Sequence, residues 1–247
     1  MRETVEPVES PVPVGAGYSL RKIAHFKKPL TKIALDREGH AALLVRDDNN
    51  LRVFDVDGWC TSLLLDPDHR FEREDFSPYL LPRGFFTLAF TDDARNIVVV
   101  DAANVVTLID RAGNVAWSAA LAPPDAADWR FHGSVVVDEG ARIKVYARWW
   151  RHLYTEPDGN PVDTDERVVT RFDRQTGRVS SDATDEPPVA RSKITYVRGY
   201  YGGVRVGDEP LKLDPRFGEV RSCVATRDER RILIATEGGY LLLVELD

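Results

Sequence analysis

The densest group of contact-making residues in the chain is Trp149-Trp150-Arg151-His152-Leu153-Tyr154. Trp, Tyr and Arg carry a disproportionate share of binding energy at protein interfaces, because each buries a large area at modest entropic cost. The segment runs into residues 155–166, which are rich in Asp, Asn, Pro and Gly. That composition predicts an inserted loop of about fifteen residues between two strands, a usual place for function on a rigid scaffold. Trp149, Trp150, Arg151, His152 and Tyr154 are therefore candidate binding residues. The competing reading places one tryptophan in the core and leaves the loop as a solvated insertion. Tyr200 and Tyr201, within Gly199-Tyr200-Tyr201-Gly202-Gly203, form a second candidate pair. No Lys-Ser/Thr follows these glycines, so they read as a bulged hairpin with exposed aromatics rather than a phosphate loop.

Catalytic chemistry finds weaker support. Asp158, Asn160, Asp163, Asp165 and Glu166 are oxygen donors of the kind calcium takes. Their spacing lacks the alternating ligands and closing Glu of a calcium loop, and Asp55-Val56-Asp57-Gly58 is only a fragment of one. Glu72, Glu74 and Asp75 lie in a charged connection over residues 66–79. Glycosidases need two carboxylates facing each other across a substrate, but a chain with 40 acidic residues supplies neighbouring carboxylates by chance. The histidines His25, His40, His69, His132 and His152 have no metal-type spacing. No Gly-x-Ser-x-Gly elbow and no Cys-His or Ser-His order is present. The reading assigns no catalytic residue, no metal ligand and no cofactor.

The 247 residues suit one large all-β domain, and 43% hydrophobic content is enough to build a core. A formal net charge of -7 argues against general nucleic-acid binding and against an anionic membrane surface. Apolar runs such as Ala41-Ala42-Leu43-Leu44-Val45 are too short to span a bilayer. The N-terminus has no apolar secretory core, and Cys60 and Cys223 belong to no Cys-x-x-Cys pair. These signals together predict a cytoplasmic protein with buried free thiols. Pro7, Pro11 and Pro13 predict a flexible tail over residues 1–17.

The rest of the chain repeats. Ile33 to Val45, Leu88 to Val100, Val135 to Val145 and Cys223 to Ile234 each read as strand, charged turn, apolar strand. A third strand follows each, ending in an apolar residue and Asp: Phe54-Asp55, Ile109-Asp110, Phe172-Asp173, Leu246-Asp247. Turns then lead to further short strands, as at Asp110-Arg111-Ala112-Gly113-Asn114 and Asp173-Arg174-Gln175-Thr176-Gly177. The last interval between hairpins is nearly twice the others, which leaves room for one more unit around Lys193 to Val197 and Gly203 to Val206. A propeller blade takes roughly 40–50 residues, so the expected fold is an all-β β-propeller of five blades, with four as the alternative. The last unit ends after its third strand. Tyr18 to Phe26 is expected to supply the missing outer strand and close the fold, giving a single propeller domain over residues 18–247.

Val105-Val106-Thr107-Leu108-Ile109-Asp110-Arg111-Ala112-Gly113-Asn114-Val115-Ala116-Trp117-Ser118 resembles the PQQ-like repeat: apolar strand, Asp, tight turn, apolar strand with Trp. Val168 to Val179 resembles it too, with Ser where Trp would stand. The likeness extends to WD40-type propellers, though no Trp-Asp dipeptide occurs. It implies fold rather than activity, since nothing here matches the cofactor or metal ligands of quinone-binding members. The functional reading is a non-catalytic scaffold that binds a protein partner, as a subunit of a larger complex. The alternative is a hydrolase or lyase acting on a sugar or small molecule at a central channel.

Overall fold

The structure is a computed structural model that describes residues 4–46, 50–65, 85–101, 103–125, 128–156, 161–182, 192–197 and 203–247. The chain opens with β1 (Thr4–Gly15) and β2 (Tyr18–His25). The first four-stranded sheet then follows: β3 (Leu30–Leu35), β4 (Ala41–Arg46), β5 (Leu51–Asp55) and β6 (Cys60–Leu65). The second is β7 (Phe85–Phe90), β8 (Asn96–Asp101), β9 (Val105–Asp110) and β10 (Val115–Ala120). The third is β11 (Arg130–Asp138), β12 (Arg142–Thr155), β13 (Pro161–Asp173) and β14 (Val179–Asp182). A smaller three-stranded sheet holds β15 (Ile194–Val197), β16 (Gly203–Val206) and β17 (Glu209–Pro210). The last joins β18 (Val220–Ala225), β19 (Arg231–Thr236) and β20 (Tyr240–Leu246) to β2 and β1. The fold is a five-bladed β-propeller.

Sequence dictates these strands through burial on both faces. Antiparallel sheets wetted on one side alternate apolar and polar residues; sheets covered on both sides read as continuous apolar runs. Ile232 and Ile234 pack in one apolar cluster, while Leu233 and Ala235 pack in another. Side chains alternate across a strand, so these pairs lie on opposite faces of β19. One cluster joins this blade to Val204 of the fourth sheet and to Leu211 just after it, the other to Ala42, Leu44 and Phe54 of the first. The chain divides into two compact units, residues 1–76 with 190–247, and residues 77–189. Both clusters lie in the first unit. In the second unit, Val98, Val100 and Leu108 of the second sheet pack against Ile143, Val145 and Phe172 of the third.

The hairpin turns share one chemical device. Thr91 Oγ1 donates to Asp93 and accepts from the Asn96 N–H; Thr226 Oγ1 donates to Asp228 and accepts from the Arg231 N–H. In the first blade, Asp36 accepts from the His40 and Ala41 N–H groups instead. These bonds satisfy backbone donors that the ladder leaves free and fix the turn.

Closure follows the expected route. β2 pairs with β20 from Tyr18↔Leu246 to His25↔Tyr240, and Ser19 Oγ donates to the Asp247 carboxylate. The expected tail does not hold for Thr4–Gly15, which pairs with β2 from Thr4↔His25 to Gly15↔Tyr18. An edge strand needs backbone donors on one side only, so Pro7, Pro11 and Pro13 are tolerated there, with register shifts around them. The connecting residues Ala16 and Gly17 both take positive φ, 52° and 76°, the conformation of a tight hairpin turn. The thiols differ as well. Cys60 is exposed rather than buried, on an outer strand covered by no further strand of its sheet. Cys223 is half-buried, and burial pushes its thiol up to about 12.

Candidate functional site

The third blade places the aromatic segment on β12. Its side chains alternate, and Ile143, Val145, Ala147 and Trp149 face the core shared with the second blade. Trp149 is only 3% exposed and meets Phe131 edge-on at 5.5 Å. It is a core residue, which corrects its place among the expected surface contacts. The next positions on that face leave the core, so the alternation that buries Trp149 delivers Arg151 to its margin.

The expected inserted loop is instead a pair of long strands. β12 and β13 pair from Arg142↔Asp173 to Thr155↔Pro161, with one register shift between His152 and Tyr154. The inner strand β11 ends its pairing at Arg130↔Trp150. Residues Arg151 to Thr155 therefore run past β11 and pair only with β13, as a bare two-stranded ribbon. A ribbon with no third strand has no side to bury, so its sequence lacks the apolar alternation that marks a strand. Residues 157–160, at the ribbon's end, lie outside the described residues.

The ribbon's base is braced. The Arg151 guanidinium lies 4.5 Å from the Trp129 ring centroid, with Nη1 3.9 Å from Asp125. Trp129 donates its indole N–H to the same Asp125 at 2.8 Å. On the strands, Arg148 pairs with Asp165 at 3.0 Å, and the His152 Nδ1 lies 2.9 Å from Asp163. The His152 Nε2 meets Thr155 Oγ1 at 3.2 Å. Trp150 is half-buried beneath the Arg130 guanidinium, 5.6 Å from its centroid. A register shift between His152 and Tyr154 makes Leu153 the bulged residue. Leu153 and Tyr154 are 47% and 56% exposed.

Of the expected binding residues, the structure thus gathers Trp150, Arg151, His152 and Tyr154 on one arm and removes Trp149 to the core. Tyr200 and Tyr201 lie outside the described residues, as do Glu72, Glu74 and Asp75. Asp163 and Asp165, considered as calcium donors, are paired to His152 and Arg148. Sequence reasoning missed Leu153, Asp125 and Trp129. The Asp-x-x-x-Trp spacing of the last two was their only signal, and nothing in it pointed to Arg151.

Two ionic groups complete the picture. In the second unit, Arg174 contacts both Asp93 oxygens, at 2.8 and 2.7 Å, and Asp138 at 3.4 Å. Partial burial pulls the Asp93 carboxyl up, but bonds from Thr91, the Arg95 N–H and Arg174 outweigh it and hold it down to about 2. In the first unit, His40 pairs closely with Asp57, which also accepts from Arg231 at 3.0 Å. The hydrogen bond and charge of Asp57 raise the His40 pKa above its ordinary value. These groups bridge turns of neighbouring blades and have the character of structural ties.

No protein-family model and no curated protein matches this chain. Among solved structures it is similar to one described as "Structure of U3-55K". The TM-score is 0.53 at 8% identity, over 95% of this chain and all of that one. At that identity the likeness is one of fold alone. The fold that the two share is the β-propeller. The PQQ-like resemblance of residues 105–118 has no matching family behind it. Among the described residues, no helix is long and apolar enough to cross a membrane.

Proposed function

We propose that this protein is a non-catalytic β-propeller scaffold that binds a protein partner and works as a subunit of a larger complex. The β12–β13 ribbon is its contact arm. The observation that carries this reading is the ribbon itself. Leu153 and Tyr154 stand exposed, and Trp150 half-exposed, on paired strands braced at the base by Arg151, Trp129 and Asp125. Rigid aromatic anchors lose little entropy on binding, and the charged pairs around them form the polar rim that interfaces use. Likeness of fold to U3-55K is compatible with this role but assigns no partner.

The test is affinity capture from native cells, identification of what is retained, and titration of the purified partner. Trp150→Ala with Tyr154→Ala is expected to leave the melting transition near its original position and to weaken binding at least about tenfold, as loss of interface anchors does. A partner whose affinity is unchanged by this pair of substitutions would remove the ribbon from the interface.

A further inference from the structure

We propose that a basic cleft between the β3–β4 turn and the β18–β19 turn binds an acidic peptide segment of a partner protein. This site lies in the first unit and does not depend on the ribbon. The cleft has a volume of about 430 Å³ and is lined by Arg37 and Glu38 from one turn and by Thr226, Arg227, Asp228, Arg230 and Arg231 from the other.

The two turns hold each other. A Cβ added at Gly39 would lie 2.5 Å from the Thr226 methyl, and Gly39 has a φ of +75°. Only glycine gives both the conformation and the space. Asp36 fixes one turn, and the Thr226–Asp228 bonds fix the other. The walls of the cleft are therefore set before any ligand arrives.

Their charges are not all spent. Arg231 is committed to Asp57 and Glu245. The guanidinium groups of Arg37, Arg227 and Arg230 make no hydrogen bond or ion pair among the described residues. Asp228 is engaged by Thr226 Oγ1 and the Arg230 N–H. On a chain of net charge -7, this cleft is a local excess of cations with planar donor forks. Such forks match carboxylates two bonds at a time. A nucleic acid carries a phosphate at every nucleotide, so its charge would extend past the cleft along a chain of net charge -7. A short peptide with spaced carboxylates sets them at the arginines and leaves uncharged residues opposite Glu38.

The experiment is fluorescence anisotropy of a labelled glutamate-rich peptide with the full chain at low salt. A single-stranded oligonucleotide of equal charge runs beside it. Saturable peptide binding is expected, falling with added salt. Replacing all three residues, Arg37→Gln, Arg227→Gln and Arg230→Gln, is expected to weaken binding at least about fivefold, through loss of exposed charge pairs. Folding should survive, because these guanidinium groups make no hydrogen bond among the described residues and Asp228 keeps its bonds from Thr226 and the Arg230 N–H; Arg227→Glu alone gives a second, independent reading of the same loss. Trp150→Ala with Tyr154→Ala should leave peptide binding intact, which separates this site from the ribbon. Absence of saturable binding, equal affinity in the triple variant, peptide binding lost in the ribbon variant, or tighter binding of the oligonucleotide would each overturn the proposal.

Discussion

Trp117 of β10 donates its indole N–H to the backbone carbonyl of Arg174 at 2.9 Å, across from one blade to the next. The same ring stacks on Phe172, with centroids 5.5 Å apart, and covers Gly177. It is the one fully buried residue of a strand whose other residues are exposed, save the half-buried Ala119. The outer edge of the second blade is thus pinned to the β13–β14 turn by a single side chain.

Gly177 shows how tightly. Its φ is +69°, and a Cβ there would lie 2.6 Å from the Trp117 ring. Gly177→Ala should cost about 2 kcal/mol or more in chemical denaturation, from overpacking and left-handed strain together. Placed on a Trp117→Ala background, the same substitution should cost only the backbone part, about 1 kcal/mol. Equal costs in both backgrounds would show that the indole does not press on this turn. Trp117→Phe should retain stacking and lose about 1 kcal/mol with the hydrogen bond.

Arg174 ties the same corner by charge. It spans Asp93 and Asp138, and the Asp138 side chain is only 2% exposed. Arg174→Met should destabilise by about 1–3 kcal/mol. Among the described residues, the Asp138 carboxylate then stays buried with the Asp92 and Gly140 N–H groups as its remaining partners. The Asp93 share depends on pH. Its folded pKa is lowered from 3.8 to about 2, so its stabilisation is complete above pH 4 and fades as pH falls toward 2. Asp93 is 40% exposed, so solvent screening keeps that share below about 1 kcal/mol. Denaturation of wild type and Asp93→Asn should differ at pH 5 and converge near pH 2. A gap that persists in acid would place the effect outside this pair.

The parts of this molecule that were legible in its sequence are those whose two faces are both buried. Ile97 to Val100 and Ile232 to Ala235 have no polar interruption, because these residues are buried on both faces of their strands. The turns beside them were legible through Asp, Thr and Gly. What was not legible is what happens at margins. β1 carries prolines that an edge strand tolerates but that read as an unpaired tail. The β12–β13 ribbon has no side to bury, so its charged residues read as a loop. Trp149 and Trp150 are neighbours of one type, and only the phase of the strand sends one inward. The brace of Asp125, Trp129 and Arg151 joins residues whose meeting depends on where β11 starts.

His40 offers a spectroscopic check on a tie between the first and last blades. Asp57 raises its pKa, and Arg231 opposes from the other side of the carboxylate. Because the folded pKa lies above 6.5, any stabilisation from the pair is complete below pH 6.5 and disappears as pH rises through the folded value. His40 is largely exposed, so the effect belongs in an NMR titration rather than in a melting curve. The His40 ring resonances should titrate above the ordinary histidine value. Asp57→Asn should bring them back to it or below, leaving Arg231 as the nearer charge. A midpoint at 6.5 in both proteins would separate the two side chains in solution.

The closure of the fold makes the largest demand on a short stretch. β2 buries Tyr18, Leu20 and Ala24, and it covers β20, whose Leu241 to Val244 are fully enclosed. Deleting residues 1–26 would strip that edge and expose apolar surface on both sides of the last blade, along with a row of unpaired backbone groups. This variant should show no cooperative unfolding transition and should associate on concentration. Deleting only residues 1–15 removes β1, an outer strand with Val14 as its buried anchor at 2% exposure. That variant should still unfold cooperatively, with a loss of about 1–3 kcal/mol for the missing apolar contact. The contrast between the two deletions isolates β2 as the closing strand. A melting transition in the longer deletion that matches the intact protein would mean that the last blade is complete without it.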